Sequence, residues 1–191
     1  MRKNILILNG NPKATSHSQH LSDSYEIEAR EYFNVQRFDL ATMDFNPNLY
    51  NGYDAVQALE PCLQDFQQAL SQAQHIVIVA PIWWGGMPAK LKGLFDRAFL
   101  PGFAFKYEEN NPMPIQLLTG KSARLIFTMD APAEYFEEQA AGVITELDTF
   151  ILQYCGIDKA NISLFGPSIS STEQERLQWQ EQVKALGAQG S

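Results

Sequence analysis

The sequence predicts an α/β fold: a doubly wound, five-stranded parallel sheet with helices on both faces. Two observations carry this. Five short apolar runs occur, at Asn4–Asn9, Val35–Leu40, His75–Ala80, Ala123–Thr128 and Ile162–Phe165. Several lack the in–out alternation of a half-exposed strand, as expected where both faces of a sheet are covered. Between them lie stretches with apolar residues at helical spacing, and right-handed crossovers would place those helices on both faces.

The first strand, Asn4–Asn9, is followed by a polar loop, Gly10–Ser18, and a helix over Gln19–Tyr32. Leu21, Tyr25, Ala29 and Tyr32 form its apolar stripe. Val35–Leu40 is the second strand. Asp44–Gly52 is turn-rich, with Asn-Pro and Asn-Gly pairs. Pro61–Gln74 reads as a helix with Leu63, Phe66 and Leu70 inward. After the third strand, Pro88 suits the first turn of a helix, and Leu91, Leu94, Phe95, Ala98 and Phe99 make its buried face. Leu100–Leu118, with Pro101, Gly102, Pro112 and Pro114 among aromatics, is a functional loop or a small hairpin. A helix over Glu134–Tyr154 ends at Gly156. Thr172 and Glu175 form a capping box for a last helix that ends near Gly187.

With 191 residues, 45% hydrophobic, the chain is expected to form one domain spanning 1–191. Its formal net charge of -8 argues against nucleic acid and against an anionic membrane surface. No apolar span reaches transmembrane length, and the first apolar run is too short for a signal-peptide core. Cys62 and Cys155 lie in no CxxC and near no histidine at ligand spacing, so neither a metal site nor a redox dithiol is expected. These features predict a cytoplasmic protein with reduced thiols.

Ligands of open α/β sheets bind beyond the carboxyl ends of the strands, and three loops there carry chemistry. The first, Asn9–Ser18, lacks GxGxxG but has Thr15, Ser16 and Ser18 before a helix. Hydroxyls and free N–H groups at a helix N-terminus suit a phosphate, with His17 beside them, although Ser and Thr are equally ordinary N-caps. The second, Pro81–Pro88, places adjacent tryptophans and two glycines after a buried strand. Trp83 or Trp84 would flank a flat aromatic ligand, best a flavin, and Gly85 and Gly86 would let backbone approach it. The alternative puts both tryptophans in the core or a dimer interface, one of them structural. The third, Thr128–Tyr135, would wall the site; its alternative is a helix start capped by Asp130 with Pro132 in the first turn.

The run Pro81-Ile-Trp-Trp-Gly-Gly-Met-Pro-Ala-Lys-Leu-Lys-Gly-Leu-Phe-Asp-Arg-Ala-Phe99 closely resembles the flavodoxin-like NAD(P)H:quinone oxidoreductases, the DT-diaphorase group. It is also similar to bacterial modulator-of-drug-activity and potassium-efflux ancillary flavoproteins, and the resemblance extends from the first strand to about Phe165. It implies a flavodoxin-like fold and a bound flavin, FAD favoured over FMN. Asn11, Ser16, Ser18 and Gln19 would hold the phosphate end. Pro81, Ile82, Trp83, Trp84 and Gly85 would line the ring, and Thr128, Met129 and Asp130 would close the site. Tyr135 falls near the family's active-site tyrosine. Where mammalian-type members have Thr-Thr-Gly-Gly, this chain has Thr128-Met-Asp-Ala131, and no histidine follows His75 to complete the family's tyrosine–histidine pair.

The implied activity is two-electron transfer from NAD(P)H through the flavin to a quinone or similar small acceptor. Reduction of azo or nitro compounds would use the same machinery. A different class of function is a flavodoxin-like electron carrier or a regulatory subunit of a membrane transporter; a stable one-electron flavin state would distinguish the carrier. The resemblance also implies a homodimer with shared active sites, the aromatic stretch Phe99–Tyr107 being a candidate interface or pocket wall. Asp44–Tyr53 is the sequence's one candidate for an adenine site.

Overall fold

The computed structural model describes residues 2–109, 111 and 113–191; Pro112, noted above, lies outside them. The chain runs β1 (Asn4–Asn9), α1 (His17–Tyr32), β2 (Asn34–Asp39), α2 (Pro61–Gln72), β3 (His75–Pro81) and α3 (Ala89–Ala98). It continues through β4 (Phe105–Lys106), β5 (Ile115–Gln116), β6 (Ser122–Thr128), α4 (Phe136–Ile144), β7 (Asn161–Phe165) and α5 (Glu173–Gln189). The main sheet is parallel with strand order β2-β1-β3-β6-β7. This is the flavodoxin-like order, and its direction of winding reverses between β1 and β3.

Alternation along the central strands divides the core. Leu6, Leu8, Ile76 and Ile78 face α2, α3 and α4, and Ile5, Ile7, Val77 and Val79 face α1 and α5. Every residue of β3 is buried, which explains its unbroken apolar run. Leu21, Tyr25 and Ala29 of α1 pack inward, whereas Tyr32, at the helix end, is exposed. Gly187 permits the close crossing of α5 over α1, since a Cβ there would collide with the backbone of Tyr25.

Four local readings are sharpened. Leu100–Leu118 contains a hairpin, with Phe105 opposite Gln116 and Lys106 opposite Ile115. Pro88 is the N-cap of α3, one position before its first turn. The helix expected from Glu134 to Tyr154 is composite. A 3-10 turn (Ala133–Tyr135) precedes α4, and a π-helical stretch (Thr145–Leu152) and a 3-10 turn (Gln153–Cys155) follow it. Gly156, at φ 99°, stops it. The capping box of α5 is present: Thr172 Oγ1 accepts from Glu175 N at 3.2 Å, and Glu175 Oε2 accepts from Thr172 N at 2.7 Å.

The segment between β2 and α2 is held by Leu40, Met43 and Phe45 in the core and by a buried cation. Arg97 of α3 is wholly buried and donates to the carbonyls of Asn46 and Ala58, at 2.5 and 2.8 Å, and to the Glu60 carboxylate at 2.9 Å. Lys90 donates to the Met43 carbonyl at 2.6 Å, and Gly93 leaves room for Pro47 against the helix.

Candidate functional site

The loops after β1, β3 and β6 meet where the sheet reverses direction. β1 ends on Asn9, which is fully buried yet polar. Its Nδ2 donates to Gln19 Oε1 at 2.7 Å and to Asp39 Oδ1 at 2.9 Å, and its Oδ1 accepts from Asn11 N at 3.3 Å. Asn11 Oδ1 accepts from Lys13 N at 2.9 Å, and Asn11 Nδ2 donates to Ser18 Oγ at 3.4 Å. Ser18 Oγ lies 3.5 Å from Thr128 Oγ1. A line of buried polar groups thus crosses from the end of β1 to the end of β6 and fixes the first loop from beneath.

Ser16 caps α1, its Oγ accepting from Gln19 N at 3.2 Å. The N–H groups of His17 and Ser18, in the first turn, have no acceptor within the helix. Gln19 is committed elsewhere: its backbone N–H goes to the cap, and its side chain bridges Asn9 and Asp23. Burial, then the charges of Arg176, His20 and Lys13, lower the pKa of His17. The positive charges of Lys13 and Arg176 thus act on this end of the site, beside the positive end of α1.

The second loop is a two-residue hairpin. Trp83 and Gly86 exchange N–H···O bonds of 2.9 and 3.0 Å. The central residues, Trp84 (φ 54°) and Gly85 (φ 71°), are both left-handed, the backbone that the twist of a tight hairpin favours. A tryptophan rarely adopts it. Pro81 and Ile82 are buried, and Ile82 N donates to Thr128 O at 2.8 Å, locking this loop to β6. Trp83 is 47% exposed and Trp84 completely so. Neither tryptophan belongs to the core, so the part of the alternative that places them there fails.

In the third loop, Thr128 and Met129 are buried and Asp130 is exposed. Met129 N donates to Phe165 O at 3.0 Å. Asp130 does not cap the following helix. Its Oδ1 accepts from Ile169 N at 2.8 Å and ties the loop to the turn after β7. Pro132, not Asp130, stands at the N-cap of the 3-10 turn. Tyr135 is half exposed at the end of that turn, and a cleft of about 650 Å³ opens between it, Gly85, Pro132, Glu138, Gln139 and Gly142.

Of the residues expected at the site, Asn11, Ser18 and Thr128 share one polar network. Pro81, Ile82 and Gly85 belong to the adjoining hairpin, and Gly85 and Tyr135 line one cleft. Sequence reasoning passed over Asn9 and Arg176. A polar residue closing an apolar strand just before Gly10 was a signal for the first. Nothing local marked the second, which stands in α5 and acts on His17 through its charge. Asp44–Tyr53 makes its polar contacts with Arg97 of α3, with Gln57, Glu60 and Cys62, and within the segment.

Residues 3–186 match the family described as flavodoxin-like fold, and the chain belongs to it. An uncharacterized NAD(P)H oxidoreductase of Haemophilus influenzae is 34% identical over 150 residues, which cover 74% of this chain and 71% of that one. The ribosyldihydronicotinamide dehydrogenase [quinone] of Rattus norvegicus is 28% identical over 162 residues, covering 74% and 67% respectively. Among solved structures, an FMN-dependent NADH-azoreductase of Bacillus anthracis in complex with FMN superposes with a TM-score of 0.71 at 18% identity, covering 98% of each chain. No helix among the described residues is long and apolar enough to cross a membrane.

Proposed function

We propose that this chain is a flavin-dependent NAD(P)H oxidoreductase acting, as one domain, on a quinone or similar small acceptor. The observation that carries the reading is the meeting of a helix N-terminus capped by Ser16, with free first-turn N–H groups, with an exposed tryptophan hairpin at the reversal point of the sheet. A flat ring with a phosphate tail matches that pair of environments. The names of the two relatives support the donor and the acceptor class.

In this reading the Ser16 hydroxyl and the free backbone N–H groups of His17 and Ser18 hold the flavin phosphate, while the buried Ser18 hydroxyl fixes the loop beneath it. The Pro81–Gly85 backbone and the tryptophans hold and shield the ring, while Thr128, Met129 and Asp130 keep its far edge in place. When bound, the flavin would supply the redox chemistry, two-electron transfer between NAD(P)H and the acceptor. The protein's part is to orient both substrates over one ring face and to exclude water. Tyr135, on the cleft, offers a hydroxyl to the acceptor oxygen. The flavin is FAD or FMN, and mass spectrometry of the released cofactor distinguishes them.

The working unit is a homodimer. A second cleft, of about 350 Å³, is lined by Tyr53, Phe95, Phe105, Tyr107, Phe150 and Tyr154. Phe150 and Tyr107 are exposed, although Phe99 and Phe105 of the Phe99–Tyr107 stretch pack in the core. Glu138, Gly142, Glu146 and Phe150, spaced by four, run along one helical face from the first cleft to the second. An exposed aromatic face of this kind suits a second copy of the chain.

Rapid mixing of the flavin-loaded protein with NADH or NADPH should bleach the flavin, and a quinone should restore its colour. A flavin that neither nucleotide reduces would sink the enzymatic reading, and accumulation of a stable semiquinone would favour an electron carrier. Light scattering on the same sample should give twice the chain mass; a monomer would refute the shared face.

A further inference from the structure

Five side chains next to the first loop close into a ring. Arg37 of β2 donates from Nη1 to Asp23 Oδ1 at 2.6 Å and from Nη2 to Asp39 Oδ1 at 2.9 Å. Asp23 Oδ1 also accepts from Gln19 Nε2 at 3.0 Å, and Asp39 Oδ1 from Asn9 Nδ2 at 2.9 Å. The bond from Asn9 Nδ2 to Gln19 Oε1, at 2.7 Å, joins the two arms. Register and spacing produce this closure. Asn9 pairs with Asp39 across the parallel ladder, and Arg37 lies two residues before Asp39, on the same face of β2. Gln19, Asp23 and Glu26, spaced by four and three, share one stripe of α1.

Arg37 is the hub. Its side chain is 9% exposed, and Nη1 also donates to Glu26 Oε2 at 2.8 Å. Burial opposes its charge, but the bonds to Asp39, Asp23 and Glu26 outweigh burial and raise the pKa of the guanidinium. One residue thus grips three carboxylates, drawn from β2 and α1, with a fork that lysine lacks. Among the described residues Arg37 bonds no member of the loop itself. The ring meets the loop through its neighbours: Asn9 Oδ1 accepts from Asn11 N, and Gln19 N donates to the Ser16 cap. Partly exposed ion pairs add little to stability. What the ring fixes is the offset between the end of β1 and the first turn of α1, the gap that the loop spans.

Resting on the flavin site proposed above, we infer that Arg37 is a positioning residue for the phosphate end of the cofactor: through Asp23 and Asp39 it locks Gln19 and Asn9, and so holds the Ser16 hydroxyl and the first N–H groups of α1 where a phosphate meets them. It touches neither the phosphate nor the ring system of the flavin. Opening the ring of side chains lets the loop fluctuate, and the ordering then required on binding lowers affinity. That loss falls on ligands that carry the phosphate. A flavin without one, held by the Pro81–Gly85 hairpin, is spared.

The test is a fluorescence-quenching titration of the flavin-free full chain with FMN and with riboflavin, which has the same ring system and no phosphate. Arg37→Met and Asp23→Ala each open the ring, and should weaken FMN binding about tenfold and riboflavin binding less than about twofold. Asp23→Asn keeps the oxygen that both donors share and should change neither affinity by more than about twofold. The Asp23 pair also separates positioning from charge, since deleting a carboxylate near an anion would by itself tighten FMN binding. Asp23 is half exposed, so its variants fold even where Arg37→Met does not, and they decide the matter even where riboflavin binds too weakly to titrate. FMN binding that is unchanged or tighter in Asp23→Ala, or equal losses for FMN and riboflavin, overturns this inference and leaves the flavin reading intact. A wild-type chain that binds neither flavin overturns the flavin reading, and this inference with it.

Discussion

The loop after β1 and the loop after β3 end neighbouring strands and border the same site, yet they are held in different ways. The first is fixed from below by side chains. Asn9, Asn11, Ser18 and Thr128 are all buried, and each bonds another member or a neighbour of the line. The second is fixed by its own backbone, two N–H···O bonds across a left-handed turn, while its largest side chains lie in solvent. One loop has spent its polar groups on folding and is rigid before any ligand arrives. The other keeps its aromatic surface uncovered, which is unfavourable in water and becomes favourable when a flat partner covers it.

Replacing one residue in each loop should separate these roles. Asn9→Ala leaves Asp39, Gln19 and the Asn11 N–H short of a buried partner, and should cost about 3 kcal/mol of stability, read as a shift in urea midpoint. A loss below about 1 kcal/mol would mean that the network is not what holds the first loop.

Acid provides a second, slightly smaller or equal perturbation at the opposite, amino-terminal end of the strands. His75 begins β3; burial, with Lys3 and Arg124 nearby, lowers its pKa to about 4 from an ordinary 6.5. The folded protein therefore binds this proton less readily than the unfolded chain. Its contribution is complete above pH 6.5 and is lost as pH falls from 6.5 towards 4, by about 3 kcal/mol at the lower limit. His75→Asn should flatten that part of the stability curve. An unchanged acid slope in this variant would assign it to other groups.

The smallest effect on folding belongs to the second loop. Trp84→Ala should change stability by less than about 0.5 kcal/mol, yet weaken flavin binding about tenfold, measured by quenching of flavin fluorescence. A stability loss comparable with that of Asn9→Ala would erase the distinction between the loops.

Much of the fold was legible because burial on both sheet faces demands unbroken apolar runs. The ends of β1 were read to the residue, and those of β3 and β6 to within one. The capping box and the Gly156 stop were readable because each rests on chemistry within a few residues. The misreadings arose from contacts that close over long sequence distances. Asp130 looks like a cap in its local sequence, but the turn after β7 supplies an N–H donor 39 residues away. Gln19 looks available to a phosphate until Asn9 and Asp23 claim it. Trp83 and Trp84 could be placed in a loop, but only the left-handed hairpin puts both in solvent.

Arg97 has a consequence for how the segment between β2 and α2 can change over evolutionary time. Two of its contacts are to main-chain carbonyls, those of Asn46 and Ala58, which every amino acid possesses. The anchor therefore recognises the path of the chain far more than its residues. So long as Glu60 and the fit of Pro47 against Gly93 persist, exposed positions such as Tyr50, Tyr53 and Val56 can be rewritten without unseating the segment. The buried guanidinium makes this stretch a replaceable surface on a fixed mounting, where relatives of the same architecture are free to diverge.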